Sequence, residues 1–181
     1  MDLLPPVEPW LHPSLSVRDS PIEGMGLFAT APIEAGTRVA VFGGRLVTDG
    51  ELEALLSASD RYVDTLSIDS NLNLVLPGRS PLGYGNHSCD PNMWWAGDFA
   101  LTARRALVPG DEATLDYGTI TDAADYVMAC RCGSTFCRWQ VTGNDWSLPD
   151  LQARYGQHWV PALLSRIRAR PGVQRPREGP W

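Results

Sequence analysis

The stretch GYGNHSCDPN, Gly83 to Asn92, places Asn86, His87, Ser88, Cys89, Asp90 and Asn92 within seven positions. Serine, asparagine and aspartate compete with a helix by hydrogen-bonding the nearby backbone, so this segment is read as a turn or loop. Its cysteine belongs to a set of four. The other three, Cys130, Cys132 and Cys137, fall in CRCGSTFC, which begins forty-one residues after Cys89. Four thiols at this spacing suit a tetrahedral zinc site, with three ligands from one small loop and the fourth from Cys89. Two disulfides are the competing arrangement, but Cys130 and Cys132 are too close in sequence to pair comfortably. A cytosolic chain also keeps its thiols reduced. With zinc bound, the Asn86–Asn92 turn is stitched to residues 130–137.

These residues need a body to hold them. A chain of 181 residues is long enough for one buried domain with a modest appendage. At 44% hydrophobic and 20% charged residues it has the composition of a soluble globular protein. No apolar run approaches the roughly 18 residues of a membrane helix, so no membrane partner is expected. The start, MDLLPPVEPW, carries Asp2 and prolines where a secretory signal carries positive charge and an apolar core, so a cytoplasmic location is expected. Residues 1–150 hold 9 Arg and no Lys against 20 Asp and Glu, a balance of −11, whereas residues 151–181 hold 6 Arg against Glu178, a balance of +5. The acidic body argues against direct nucleic-acid binding, which depends on neutralising phosphates. It is compatible with a basic substrate drawn in by long-range field.

Short β-prone pieces recur every 8 to 12 residues ("LSV", "GLFATA", "RVAVF", "YVDTLSI", "NLVL", "FALTARRAL", "EATLDYG"), with "FGGRLV" and "LVPGDE" read as turns. No alternation of strands with helices is visible, which points to a mainly β fold. Asp49 to Leu56 reads as a short helix with Asp49 as its N-cap. The first dozen residues read as an irregular Pro-rich arm. After Trp146 the sequence predicts a short helix, a break at Gly156 and a second helix from Pro161, then a disordered end.

GMGLFAT (Gly24–Thr30), NHSCDPN (Asn86–Asn92), GDEATLDYG (Gly110–Gly118) and CRCGSTFC (Cys130–Cys137) occur in that order. Together they resemble the four signature motifs of the SET-domain protein-lysine methyltransferases, the last being the cysteine-rich post-SET loop. The resemblance implies a β-clip-like fold of several small sheets with a knot-like crossing near the second motif. It divides the chain into an N-terminal arm (1–14), a SET domain (15–128), a post-SET zinc loop (129–146), a helical segment (147–170) and a tail (171–181). It further implies transfer of methyl from S-adenosyl-L-methionine to a lysine ε-amine of a protein or peptide. Gly24, Met25 and Gly26 would approach the cofactor closely, since glycine has no Cβ. Asn86 and His87 would bond it through side chain and backbone, while Tyr62 and Trp139 would pack against it. Tyr117 would be catalytic, and Cys89, Cys130, Cys132 and Cys137 would hold zinc.

The chain departs from the family pattern at several points. Leu115 stands two residues before the tyrosine where Phe or Tyr is common, and Phe42 stands where many members have tyrosine. Gly83 replaces one member of the basic-aromatic pair before the second motif, and "EAT" replaces "ELT". These changes bear on the shape of the lysine channel, which Phe42 and Trp95 could also fill, and hence on substrate and methylation degree. Two other functions are compatible with the residues: a SET-fold binding module without activity, and a zinc-dependent nucleic-acid binder. Oligomeric state is not specified by the sequence.

Overall fold

The computed structural model describes residues 4–61, 63–78 and 80–169. Tyr62 and the tail from residue 171 lie outside the described residues. The fold is mainly β, built of small antiparallel sheets, and none of those described closes into a barrel.

The first sheet brings two of the motifs together. After a two-residue strand β1 (Trp10–Leu11), strand β2 (Leu15–Asp19) pairs with β3 (Met25–Ala29) through a turn in which Gly24 has φ +48°. The outer edge of β3 takes a two-residue strand from the GDEATLDYG motif, where Glu112 faces Phe28 and Ala113 faces Leu27. The remainder of that motif is not a strand. It turns into a single 3-10 turn at Tyr117–Thr119, capped by the Asp116 side chain.

A second sheet orders the arm strand Trp10–Leu11, then Arg38–Val41, Ala100–Ala103 and Met93–Ala96. The Pro-rich arm is therefore tied to the body at Trp10 and Leu11, which pair with Val41 and Ala40. A third sheet orders Arg45–Val47, Leu72–Val75 and Thr65–Asp69, so the "RLV" read as part of a turn is an edge strand. The helix beside it, Asp49–Ala58, is capped by Thr48 and not by Asp49. Thr48 Oγ1 accepts from Glu51 N, and the Glu51 carboxylate accepts from Thr48 N at 2.8 Å. That reciprocal box satisfies two donors at once, which a lone Asp cap does not.

The cysteine loop is the connection of a small hairpin, Val127–Ala129 with Gln140–Thr142. The pairing continues past the strands: Cys130 N donates to Trp139 O at 2.8 Å. The loop is closed at its base before any ligand is considered.

The C-terminal segment folds as the sequence predicts, as α1 (Asp49–Ala58) is followed late in the chain by α2 (Pro149–Tyr155) and α3 (Pro161–Ala169), with Gly156 at φ +55° between the last two. Both late helices bury apolar side chains in the main core. Tyr155 and Trp159 meet edge to face at 5.6 Å, and α3 lies on the strand Thr65–Asp69. Val160 N donates to Thr119 O at 3.0 Å, so the linker between the helices is bonded to the turn that carries Tyr117.

The end of the hairpin is tightly enclosed. A Cβ placed on Gly143 would lie 1.8 Å from the Ala123 carbonyl oxygen, and the atoms it meets are Ala123 backbone, which cannot swing aside as a side chain can. Gly143→Ala is expected to destabilise the chain by roughly 2 kcal/mol or more, at the upper end of overpacking costs. Urea unfolding checks this, and an unchanged midpoint would show that the two segments do not touch in solution.

Candidate active site and cysteine cluster

The second and third motifs lie side by side. His87 and Leu115 form a parallel bridge in which Ser88 N donates to Leu115 O at 3.0 Å and Leu115 N donates to Asn86 O at 3.1 Å. Asn92 extends the contact: its amide donates to Glu112 O and its carbonyl accepts from Thr114 N, both at 2.8 Å. This is the place where the resemblance implied a chain crossing. It fixes the polar turn against the segment leading to Tyr117.

Asn86 uses its amide inside the protein. Nδ2 lies 3.1 Å from Glu23 O, 3.0 Å from Met25 O and 2.8 Å from Glu112 Oε1. The side chain thus anchors the Gly24–Gly26 turn to the second motif. Glycine at 26 has a local cause as well, since a Cβ there would lie 2.2 Å from Glu112 Oε1. Glycine at 24 answers a different need. Open space surrounds it, but its φ of +48° is unfavourable to side chains. Glu112, which also accepts from Ser20 Oγ at 2.8 Å, is therefore the centre of this turn.

His87 is 3% exposed and links the tyrosine turn to the cysteines. Tyr117 N donates to Nδ1 at 3.1 Å, so that nitrogen is the unprotonated one. Nε2 then carries the hydrogen and faces Cys89 Sγ at 3.3 Å. Burial lowers the imidazole pKa to about 4, outweighing Asp116, so the ring is neutral near pH 7. The main-chain N–H and C=O of His87 have no partner among the described residues. Buried main-chain groups are almost always bonded, so this pair fits a ligand with complementary polar edges.

The four cysteine Sγ atoms all lie within 4.8 Å of one another, and Cys89 and Cys130 are 3.7 Å apart. Four sulfurs about 2.3 Å from one zinc ion would sit roughly 3.8 Å apart. Backbone donors point at three of them: Cys89 N at Cys132 Sγ, Arg138 N at Cys89 Sγ and Trp139 N at Cys137 Sγ, at 3.3 to 3.4 Å. Burial pushes the Cys89 thiol up to about 11 and that of Cys130 higher still. Cys132 also feels burial, but backbone hydrogen bonds from Cys89 and Ser134 outweigh it and bring it down to about 7. The cluster is compatible with a cation that binds thiolates, which would have to displace the protons of Cys89 and Cys130.

Behind the tyrosine turn is a buried ion-pair network that the motifs did not reveal. Asp116 is 1% exposed. Its Oδ2 accepts from Arg138 Nη1 at 2.7 Å and Tyr155 Oη at 2.8 Å, and its Oδ1 from Arg138 Nη2 at 2.7 Å and Gly118 N at 2.9 Å. Burial alone would raise this carboxyl, but the two-pronged Arg138 guanidinium holds it below the usual carboxylate range. Arg138 also reaches Asp145 Oδ2 from Nε at 3.1 Å. In sequence, Arg138 stands between Cys137 and Trp139, and nothing there marks it as the partner of a carboxylate twenty-two residues earlier.

A cleft of about 650 Å³ opens on the other side of the turn, lined by Tyr117, Leu115, Phe42, Tyr84 and Tyr126 among others. The Tyr117 hydroxyl donates to Gly85 O at 2.9 Å. Leu115 is buried at the wall, and Phe42, which lines the same cleft, stacks on Trp95 at 5.2 Å. Trp139 is 79% exposed with φ +63°, an unusual backbone for a bulky residue. The structure thus brings Gly24, Met25, Gly26, Asn86 and His87 into one bonded group and gathers the four cysteines. It places Tyr117 between them and the cleft and leaves Trp139 on the surface.

Residues 24–118 match the SET domain family model. The chain is 28% identical over 144 residues to Histone-lysine N-methyltransferase ash1 of Drosophila melanogaster, covering 72% of this chain and 6% of that protein. It is 32% identical over 134 residues to Histone-lysine N-methyltransferase trithorax of Drosophila virilis, covering 66% of this chain and 3% of that one. It therefore spans only a small part of these relatives. Among solved structures, the methyltransferase domain of human Histone-lysine N-methyltransferase SETMAR shares the fold with a TM-score of 0.59, at 20% identity, over 72% of this chain and 58% of that chain. With the motif turn, the small sheets and the cysteine cluster in place, the chain belongs to the SET-domain family.

Proposed function

We propose that this chain transfers methyl from S-adenosyl-L-methionine to the ε-amine of a lysine in a protein or peptide. The observation that supports this best is the position of Tyr117, whose ring lines the cleft while its main-chain N–H is held by His87. When bound, S-adenosyl-L-methionine would supply an electrophilic sulfonium methyl group for a neutral amine, with its thioether as the leaving group. Gly24, Met25, Asn86 and His87 would hold it, with the open main-chain groups of His87 as its polar contacts and Trp139 as an apolar cover. Cys89, Cys130, Cys132 and Cys137 would hold zinc.

The protein's own part is to orient the acceptor and exclude water. Gly85 O fixes the direction of the Tyr117 hydroxyl, and Leu115 and Phe42 keep the wall apolar. A lysine amine, with pKa near 10.4 in water, loses its proton more readily against such a wall. These 181 residues contain no lysine, so the acceptor lysine lies outside them.

Tyr117→Phe is expected to lower kcat on the order of 100-fold while cofactor affinity barely moves, because the hydroxyl acts chiefly in the transition state. Steady-state kinetics with labelled cofactor and calorimetric titration measure the two effects. Full turnover in the variant would remove Tyr117 from the mechanism, and a wild type that binds no cofactor would favour a binding module.

Leu115 leaves more room than the Phe or Tyr common in the family, so di- or trimethylated product is expected despite Phe42 nearby. Intact-mass spectra at exhaustion of substrate settle the degree, and a product that stops at the monomethyl form contradicts it.

Metal and cofactor sites are joined through Cys89, two residues from His87. About one zinc per chain is expected by elemental analysis. A chelator or Cys132→Ser should weaken cofactor binding at least tenfold, about 1.4 kcal/mol, with little change in far-UV circular dichroism. Purified chain without zinc would end this coupling.

A further inference from the structure

The last turn of α2 touches both halves of the site, although it lies beyond the residues matched by the family model. Arg154 Nη1 donates to Cys89 O at 2.9 Å, and its guanidinium lies 4.8 Å from the centre of the Phe136 ring in the cysteine loop. The next residue, Tyr155, is 1% exposed and donates its hydroxyl to Asp116 Oδ2 at 2.8 Å. Adjacent side chains on a helix diverge by about 100°, so one rigid turn reaches two separate loops. Gly156, at φ +55°, ends the helix directly after these two residues.

The chemistry of each contact is specific. With the Arg138 fork and Gly118 N in place, the Tyr155 hydroxyl is the fourth donor to Asp116, and four bonds fill the lone pairs of a carboxylate. A phenylalanine would fill the same apolar space but leave that bond unmade. Arg154 holds the carbonyl of a cysteine whose sulfur faces His87, the residue that accepts from Tyr117 N. The Cys89 turn and the Asp116–Tyr117 turn are thus fastened from behind by neighbouring residues of one helix.

We infer that Arg154 and Tyr155 are positioning residues that hold the Cys89 turn and the Tyr117 turn in one fixed arrangement, making α2 part of the active-site apparatus. The activity readout of this inference rests on the proposed methyl transfer, so a second readout independent of it is included. The full zinc-loaded chain is compared with Tyr155→Phe, Arg154→Gln and Arg154→Lys by kinetics, zinc content and hydrogen–deuterium exchange resolved by peptide. Tyr155→Phe should lower kcat on the order of tenfold, as expected for losing a hydrogen bond to a buried charge. Its cofactor KM and zinc content should stay unchanged, and exchange should quicken in residues 114–119 but not in β2 and β3. Arg154→Gln should quicken exchange in residues 86–92, and Arg154→Lys should recover part of the protection, since an ammonium can still donate to Cys89 O. Variants that lower only the unfolding midpoint, with kcat and local exchange as in wild type, would reduce α2 to packing and overturn the inference. A wild type that transfers no methyl defeats the proposed reaction instead, and the exchange measurements still decide the clamp.

Discussion

The arrangement of this protein depends on one buried carboxylate. Taking Asp116 out of water costs several kcal/mol unless its charge is met and its lone pairs are filled. The fold meets both needs with groups from three places: the cysteine loop through Arg138, the tyrosine turn through Gly118 N, and α2 through Tyr155. If the cysteine loop moves away the charge is left buried and unpaired, and if Gly118 N or α2 does, a buried lone pair is left unfilled. That makes Asp116 a constraint on geometry more than a source of net stability, because a buried ion pair contributes little beyond its own desolvation. The residue it constrains most directly is its neighbour, Tyr117.

The second constraint is the tautomer of His87. With Nδ1 accepting from Tyr117 N, Nε2 has only its hydrogen to offer toward Cys89. A doubly protonated ring would place a donor against the Tyr117 donor, and burial already disfavours that state. A neutral ring is the one form that bonds in both directions, and it donates to a sulfur that metal binding would make more negative.

The features legible in the sequence are those in which chemistry is local. Turn residues, the Cys130–Cys137 loop and the tyrosine motif each lie within ten residues, and the structure brings together the groups they named. The helices after Trp146 were also legible, from Pro at their starts and Gly156 between them. The misreadings arose where pairing partners decide. Arg45–Val47 looks like a turn beside two glycines and becomes a strand because Leu72–Val75 is there to bond it. Met93–Ala96 carries two tryptophans and no alternation visible to the eye, yet it takes the sheet edge beside Ala100–Ala103. The hairpin around the cysteine loop is likewise made by its pairing, since Val127 is exposed and offers no buried pattern. Arg138, Arg154 and Tyr155 could not be chosen from among other Arg and Tyr residues, because their meaning lies in contacts 22 to 65 residues away.

Charge in the cleft sets two demands of the proposed reaction against each other. Asp64 and Asp122 line it, and carboxylates attract a cationic lysine but also hold it in the protonated form that cannot accept methyl. The structure treats the two acids differently. Asp122 is paired with Arg166, whose guanidinium also lies 4.2 Å from the centre of the Trp146 ring, so its charge is largely met by α3. Leu115, Phe42 and Leu27 line the same cleft near Tyr117, and an apolar wall there favours the neutral amine. The acidic body can then steer a basic partner from a distance, where screening by salt limits the field to about 10 Å. Close to Tyr117 it is desolvation that governs the proton, and α3 contributes by removing one of the two charges that would oppose it.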